Sequence, residues 1–293
     1  MRKALIRGAI GLSTVAALII PATVVVASGP PLYNSTLSLS SVGNLPSVGA
    51  EAYSFNEFGN EVNLTGVKLG KVTVMMSSWG CVTGHWNSGD CGTPSGSTFN
   101  EPITFNIYNP PALNSDVPGT LIATRTVTFK FPYRPSANYA HCSGGNAGLW
   151  WDKALATCFN GKAFDITFSF GIKLPTTDVV FGIAYNTTHY GYAPIGESAA
   201  CYTSSGGCGY DSLNIALTQD NGTGHGGNVS AGSDRYPGKV YQNAVYGSDY
   251  CDGGTAGVNI FRLDSPTGPS CWGTVSPYTS APFFIPAVKF AHC

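Results

Sequence analysis

The segment Phe164–Phe170, which reads FDITFSF, decides the fold class because its large apolar residues occupy every second position without interruption. In an extended strand, successive side chains point to opposite faces, so this pattern predicts a strand with one buried and one solvated face. The same period of two recurs in ITFNIY (103–108), TVTFKF (126–131), VFGIAY (180–185) and LNIAL (213–217).

Further strand candidates are 52–55, 62–64, 72–76, 240–246, 258–263 and 287–290. Clusters of Gly, Pro, Asn and Ser separate them, and no segment has a convincing helical stripe; the best helical candidate, WWDKALAT (150–157), is one or two turns long. About ten or eleven strands with turn-rich links predict an all-β, antiparallel sandwich that resembles a jelly roll. We expect residues 51–293 to form a single domain, preceded by an N-terminal extension and first strand region at 28–50.

The first residues have the pattern of a secretory signal peptide. Arg2, Lys3 and Arg7 precede an uncharged apolar run, and Val25 and Ala27 stand where signal peptidase prefers small residues. We therefore expect residues 1–27 to be cleaved and the product to be secreted. The alternative is an uncleaved anchor, because the run is just long enough to span a bilayer. Nothing after residue 27 resembles a membrane span.

The charge composition excludes some classes of partner. Residues 28–293 keep twelve of the fifteen Lys and Arg residues and all sixteen Asp and Glu residues, which gives a formal charge near −4. Charged residues make up 11% of the whole chain, against roughly 25% in an ordinary soluble domain. A charge-poor, weakly acidic surface does not attract nucleic acid or anionic lipid.

The cysteines predict loops closed by disulfides. In sequence order, eight of the nine form local pairs that enclose turn-rich segments: Cys81 with Cys91, Cys142 with Cys158, Cys201 with Cys208, and Cys251 with Cys271. Order alone does not fix connectivity, but a secreted chain with this arrangement is typical of stapled loops. Cys293 is left over, as a free thiol, as a residue that bridges two chains, or as the partner of a cysteine that is paired wrongly here.

The first of these loops lies in SSWGCVTGHWNSGDCG (77–92), which could also be read as a metal site. Cys81, His85, Asp90 and Cys91 are metal-ligand types. Zinc sites, however, usually pair their ligands at short spacing and need thiolates, which an oxidising compartment removes. The spacing favours a disulfide loop that carries exposed aromatic residues.

Six segments span nearly all of the chain after the predicted signal peptide: GNLPSVGAEAYSFNEFGNEV, TVMMSSWGC, PITFNIYNP, FGIAYNT, YDSLNIAL and IPAVKF. Together they resemble a family of secreted bacterial proteins of uncharacterised function. The resemblance implies secretion and a β-rich extracellular fold. It supplies no catalytic residue.

No catalytic motif stands out. GESAA (196–200) is a broken serine-hydrolase turn with alanine in place of the second glycine, and no helix is predicted after it. A glycosidase needs two opposed carboxylates, and nothing in the sequence singles out such a pair. The candidates are Glu51, Glu57, Glu61, Glu197, Asp211 and Asp249, of which Glu57 and Glu61 lie in NEFGNEV, interpreted as a turn.

Two acidic segments could supply oxygen ligands to calcium. DYCDGG contains Asp249 and Asp252, and TQDNGTGHGGN contains Asp220 and Asn221. Neither has the spacing of a defined calcium loop, so solvated turns are the favoured interpretation and no metal or other cofactor is predicted.

The tryptophans give the most suggestive functional signal. Trp79, Trp86, Trp150, Trp151 and Trp272 lie in or beside predicted loops. Exposed rings could stack on sugars, with Trp86 the best candidate for exposure; the alternative is that they pack beneath the loops next to the disulfides.

The sequence therefore favours a secreted, non-catalytic binding or structural protein, with Trp79, Trp86, Trp150 and Trp151 as candidate ligand contacts. The expected partner is an extracellular glycan or another copy of the chain. The alternatives are a secreted polysaccharide hydrolase and a self-assembling structural protein of the cell exterior.

Overall fold

The computed structural model describes residues 29–86, 88–185, 213–221, 223–265, 271–272 and 283–293. The predicted signal peptide and the Cys201–Cys208 pair lie outside these residues. No helix in the described ranges is long and apolar enough to cross a membrane.

The described chain forms sixteen strands and one short helix. The strands are β1 (Tyr33–Asn34), β2 (Ser47–Gly49), β3 (Phe55–Asn63), β4 (Lys68–Ser78), β5 (Thr98–Tyr108), β6 (Leu121–Pro132), β7 (Trp150–Asp152), β8 (Thr157–Phe159), β9 (Lys162–Lys173), β10 (Asp178–Ala184), β11 (Leu213–Asp220), β12 (Ser233–Asp234), β13 (Tyr241–Ala244), β14 (Arg262–Leu263), β15 (Phe283–Pro286) and β16 (Val288–His292). The helix α1 spans Ala50–Tyr53, and single 3₁₀ turns occur at Gly144–Asn146 and Gly247–Asp249.

Two antiparallel sheets build the sandwich. In the first sheet, β4 pairs with β9 along one side and with β16 and β11 on the other; β1 extends β16, and β2 and β15 pair with β11. The second sheet has the order β14-β13-β3-β10-β5-β6, with β12 also pairing with β3. A separate hairpin of β7 and β8 carries Trp150 and Trp151.

The alternating residues of the opening segment fill the space between the two sheets. Phe168 from β9 packs on Phe105 from β5, with ring centroids 5.5 Å apart, and Phe105 stacks on Phe181 from β10 at 5.6 Å. All three side chains are buried. Burying a side chain of this size contributes about 1.5–3 kcal/mol, so this aromatic cluster is a main source of cohesion between the sheets.

The prediction of an all-β, antiparallel sandwich is confirmed, but about ten or eleven strands was too low an estimate. Several of the sixteen strands have only two or three residues, and such short elements leave no periodic signal. WWDKALAT, the best helical candidate, is not helical, because the segment forms most of the β7–β8 hairpin.

The interpretation of NEFGNEV as a turn was also wrong, because these residues form most of β3. Gly59 of β3 lies directly opposite Gly182 of β10. A methyl group on residue 182 would overlap the Glu57 carboxylate, which extends over that position. Gly59, the glycine that suggested a turn, lies instead against the backbone carbonyl of Phe181, and Gly182 makes room for the Glu57 side chain.

The 28–50 region contributes directly to the sandwich. Leu32, Tyr33 and Val48 belong to the main hydrophobic core, and β1 and β2 are strands of the first sheet.

Three predicted disulfides are confirmed: Cys81–Cys91, Cys142–Cys158 and Cys251–Cys271. Their Cα atoms are 5.5, 5.9 and 5.7 Å apart, within the usual range for disulfides. The first two close loops outside the two main sheets, whereas Cys251 and Cys271 pack against the main hydrophobic core and enclose β14. Cys293 is the free cysteine among the described residues, and it is exposed.

Candidate functional site

The four candidate tryptophans lie at the disulfide-closed loops beside the first sheet. Trp79 directly follows β4, and Trp86 lies in the Cys81–Cys91 loop. Their rings meet edge to face, with centroids 4.6 Å apart and planes at 84°. Both side chains are partly exposed.

A chain of hydrogen bonds fixes Trp79 against the segment that precedes β2. The Trp79 indole N–H donates to Ser77 Oγ at 2.9 Å, and the Ser77 hydroxyl donates to Asn44 Oδ1 at 2.6 Å. Asn44 Nδ2 in turn donates to Asn160 Oδ1 at 3.0 Å. These hydrogen bonds hold Asn44, Trp79 and Asn160, which are far apart in the sequence, next to one another.

Trp150 lies beside these hydrogen-bonded residues and is buried. It is only 5% exposed, and its indole N–H donates to the Gly161 carbonyl at 2.7 Å. Its ring contacts Phe159, with centroids 5.6 Å apart, and the Lys162 ammonium lies 5.7 Å from the centroid of the Trp150 ring. Burial of the indole and the cation–π contact hold both groups in place.

Trp151 is turned differently from Trp150 because neighbouring residues of a strand face opposite sides. Its ring stacks on His141 at a centroid distance of 4.8 Å and an interplanar angle of 14°. Trp151 remains partly exposed. The Cys142–Cys158 disulfide lies next to this stack and ties the two chain segments together.

Two adjoining grooves result. The first groove, of about 230 Å³, is lined by Leu39, Val42, Gly43, Trp150, Trp151, Asp152, Lys153, Lys162 and Ala163. The second groove, of about 430 Å³, is lined by Asn44, Leu45, Pro46, Ser47, Trp79, Phe159 and Asn160. They share a wall, since Gly43 and Asn44 are consecutive and the Trp150 and Phe159 rings are in contact. A methyl group on residue 43 would overlap the Phe159 ring, so glycine allows this close packing.

The grooves combine flat aromatic surface with hydrogen-bonding groups and charge. Amides come from Asn44 and Asn160, and ammonium groups come from Lys153 and Lys162. Asp152 Oδ1 accepts the backbone N–H groups of Ala154 and Leu155 at 2.9 and 3.2 Å, which shapes the hairpin turn. Such surfaces suit ligands that have flat apolar faces and polar edges.

The Cys81–Cys91 loop is ordered by a carboxylate rather than by its cysteines alone. Asp90 Oδ1 accepts the Ser88 hydroxyl at 2.6 Å and the His85 backbone N–H at 2.9 Å. These two donors lower the pKa of Asp90. Both cysteines of the alternative metal set are used in the disulfide.

Glu57 and Glu61 lie on the outer face of β3, away from both grooves. Glu57 Oε1 accepts Asn106 Nδ2 and the Tyr108 hydroxyl, each at 2.9 Å. Glu61 Oε2 accepts the Tyr241 hydroxyl at 2.7 Å, and Glu61 is only 3% exposed. Burial raises the pKa of both carboxyl groups, against the lowering effect of these donors.

The remaining candidate carboxylates have different outcomes. Burial raises the pKa of Asp249, which lines a third cavity beside the Cys251–Cys271 disulfide. Glu197, Asp211 and the GESAA segment lie outside the described residues, as does the side chain of Glu51.

Asp252, one of the two weak calcium candidates, binds a protein cation. Its Oδ1 accepts Arg262 Nη2 at 3.0 Å and the Gly254 N–H at 2.8 Å. Burial opposes ionisation, but Arg262 and the backbone donors together lower the pKa of Asp252. Among the described residues, the one group of three metal-ligand side chains is Cys251, Asp264 and Cys271, in which both sulfurs belong to a disulfide.

The two residues of the second calcium candidate have different surroundings: Asn221 lies in a turn, and Asp220 lies in the protein interior. Asn221 Oδ1 accepts the Thr223 N–H at 3.2 Å and the Thr223 hydroxyl at 2.6 Å, as in an Asx turn. Asp220 is buried and faces Asp234.

Trp272 packs in the interior next to a disulfide, which was the alternative interpretation for all the tryptophans. It is 8% exposed, its ring lies 5.2 Å from that of Phe58, and its indole N–H donates to Asp264 Oδ2 at 2.9 Å.

Sequence reasoning missed the non-tryptophan half of the grooves: Asn44, Phe159, Asn160, Lys153 and Lys162. A hairpin reading of residues 150–159 would have placed Phe159 opposite Trp150, as observed. No sequence signal connects Asn44 to this hairpin, because that contact depends on the packing of distant segments.

Comparison of the chain with protein-family models, with curated proteins and with solved structures finds no match.

Proposed function

We propose that this is a secreted, non-catalytic carbohydrate-binding protein whose ligand site is the pair of adjoining grooves. The observation that carries the proposal is the shared aromatic wall, in which Trp150 and Phe159 lie between a groove with Trp151 and a groove with Trp79. We also propose that the chain belongs to the family of secreted bacterial proteins that its six segments resemble.

A sugar chain fits this arrangement better than a compact apolar ligand. Small-molecule sites are typically clefts or cavities of about 300–1,000 Å³ that bury most of the ligand surface, whereas the two grooves here, of about 230 and 430 Å³, are open and lie side by side. Neighbouring units of an oligosaccharide could each place a ring face on an aromatic side chain. The amides of Asn44 and Asn160 would face the hydroxyl groups of the second unit.

The carboxylates near the grooves favour binding over hydrolysis. Among the residues that the structure describes, Asp152 is the only carboxylate lining the grooves, and its Oδ1 accepts two backbone N–H groups. A glycosidase of the usual kind needs two carboxyl groups on opposite sides of the scissile bond. Glu57 and Glu61 lie on the outer face of the other sheet, where Glu61 is buried.

Secretion is supported by the signal-peptide pattern and by three disulfides in the described residues. Disulfides form and persist in oxidising compartments.

The test is a binding screen of purified residues 28–293, with intact disulfides, against a panel of glycans and polysaccharides. Release of reducing sugar is assayed in the same wells. Binding without release supports the proposal, binding with release favours the hydrolase, and the absence of binding across the panel refutes carbohydrate binding.

Self-association is a second candidate function because Cys293 carries an exposed thiol at the end of the first sheet. Molecular mass in solution, measured with and without reductant, tests it. A dimer that dissociates on reduction and does not form with Cys293→Ser would support a disulfide-linked assembly; a monomer under both conditions would refute it.

A further inference from the structure

The two grooves differ in charge. Two of the nine described residues that line the first groove are lysines, Lys153 and Lys162, whereas the described residues of the second groove are uncharged. The chain is poor in cations, with twelve Lys and Arg residues in the whole of 28–293. With Asp152 counted, the first groove carries a net charge of +1 in a protein whose overall charge is negative.

The Lys162 ammonium is held at the groove instead of extending freely into water. Its nitrogen lies 5.7 Å from the centroid of the Trp150 ring, and that ring is fixed by the hydrogen bond from its N–H to Gly161. A lysine held over an aromatic ring loses less rotamer entropy on binding an anion than a freely moving one does.

The one acidic residue of the groove is directed toward its own hairpin turn. Asp152 Oδ1 accepts two backbone N–H groups, which offset part of its charge. The ammonium groups of Lys153 and Lys162 are therefore the main charged feature that a bound ligand would meet.

We propose that the first groove takes an acidic sugar unit, a hexuronate, and that the second groove takes a neighbouring sugar unit. The hexuronate ring would lie against the tryptophans, with its carboxylate directed toward Lys153 and Lys162. The neighbouring unit would contact Trp79 and Phe159, with its hydroxyls facing Asn44 and Asn160. This inference rests on the proposed function and specifies its class of ligand.

The test uses matched ligands that differ only in charge. Oligosaccharides of polygalacturonate, alginate and hyaluronan are each titrated as the free acid and as the fully methyl-esterified form, next to neutral polysaccharides. Methyl esterification keeps the sugar ring and removes the carboxylate charge. At least one acid is expected to bind about tenfold more tightly than its ester, and the difference should shrink as salt is raised from about 50 to 500 mM.

The double variant Lys153→Gln/Lys162→Gln identifies the groove. It should lower the affinity for the acid to that for the ester, so that the roughly tenfold preference for the acid disappears. Lys173→Gln, at the opposite end of β9 from Lys162, is the matched control and should leave both affinities unchanged.

The outcomes separate the two proposals. Binding of neutral glycans alone, equal affinity for acid and ester, or full acid affinity in the double variant would overturn the inference and leave carbohydrate binding intact. No binding by any glycan would refute the proposed function, and the inference with it.

Discussion

The buried pair of aspartates between the two sheets leads to a specific prediction about stability and pH. Asp220 ends β11 in the first sheet, and Asp234 lies in β12 of the second. They are 0% and 4% exposed and face one another. Asp234 Oδ1 accepts the Tyr236 N–H at 3.1 Å, and Asn60 lies beside the pair. Two carboxylates at such a site cannot both be ionised without a large cost.

Burial, reinforced by Asp220, raises the pKa of Asp234 well above its usual value. The folded protein therefore binds a proton here more tightly than the unfolded chain does. The stability that this proton provides is fully present below the ordinary aspartate pKa of about 3.9 and is lost as the pH rises through the raised pKa of the folded state. We expect the wild-type protein to become less stable over that range.

Asp234→Asn should remove this loss, because an amide at position 234 can donate a hydrogen bond to Asp220 without first taking up a proton. A hydrogen bond to a charged group contributes about 1.5–3 kcal/mol. At about 2–4 °C per kcal/mol, the variant should melt roughly 3–12 °C higher than wild type at pH 8. At pH 4 the wild-type pair holds its own proton, so the two should melt within about 1 °C of each other.

Thermal unfolding by calorimetry from pH 4 to pH 8 measures this difference, with Asp116→Asn, in the loop before β6, as the control for loss of a carboxylate elsewhere. The reasoning is refuted if Asp234→Asn is less stable than wild type at pH 8, or if both melting temperatures vary with pH in the same way.

Two further perturbations test other parts of the structure. Gly182→Ala should lower the free energy of unfolding by about 1–3 kcal/mol, because the new methyl group overlaps the Glu57 carboxylate. In the control Gly145→Ala the methyl group meets no atom within 4 Å, so the free energy of unfolding should change by less than about 0.5 kcal/mol. Urea denaturation measures both variants, and equal effects would contradict the close packing at Gly182. Replacing Cys142 and Cys158 together by Ser should lower the free energy of unfolding by about 3 kcal/mol, as expected for a loop closed at a sequence separation of 16, and should weaken glycan binding because the loop that holds the groove is loosened. Unchanged urea denaturation and unchanged binding would show that the disulfide has neither role.

The sandwich could be predicted from the sequence because its long strands have one buried face. In β9 and β5, large apolar residues at alternate positions meet across the core, so the alternation is visible within each strand's own sequence. Three disulfides were equally local, each closing a short turn-rich loop.

The errors occurred where distant contacts override local preference. WWDKALAT contains Lys, Ala and Leu, which favour helix, yet Trp150 and Phe159 pair across a hairpin. NEFGNEV has the residues of a turn, yet Gly59 lies opposite Gly182 in a sheet.

The grooves could be predicted only in part. The tryptophans drew attention to the loops, but Asn44 and Asn160, whose side chains are hydrogen-bonded, are 116 positions apart in the sequence. Their contact follows from the folded arrangement of the hairpin against the segment before β2. The charge difference between the grooves depends on the same packing.

Glycan binding at the grooves is tested most directly by tryptophan fluorescence titration of wild type, Trp151→Ala and Tyr246→Ala against the glycan panel. Trp151 lines the first groove, whereas Tyr246 is a similarly large aromatic residue that is 61% exposed and lines neither groove. An aromatic contact contributes about 0.5–1.5 kcal/mol beyond its buried area, so loss of this contact alone should weaken binding roughly two- to twelvefold. We predict this loss for Trp151→Ala and wild-type affinity for Tyr246→Ala. Wild-type affinity in Trp151→Ala, or no binding by the wild-type protein, would contradict the proposed site.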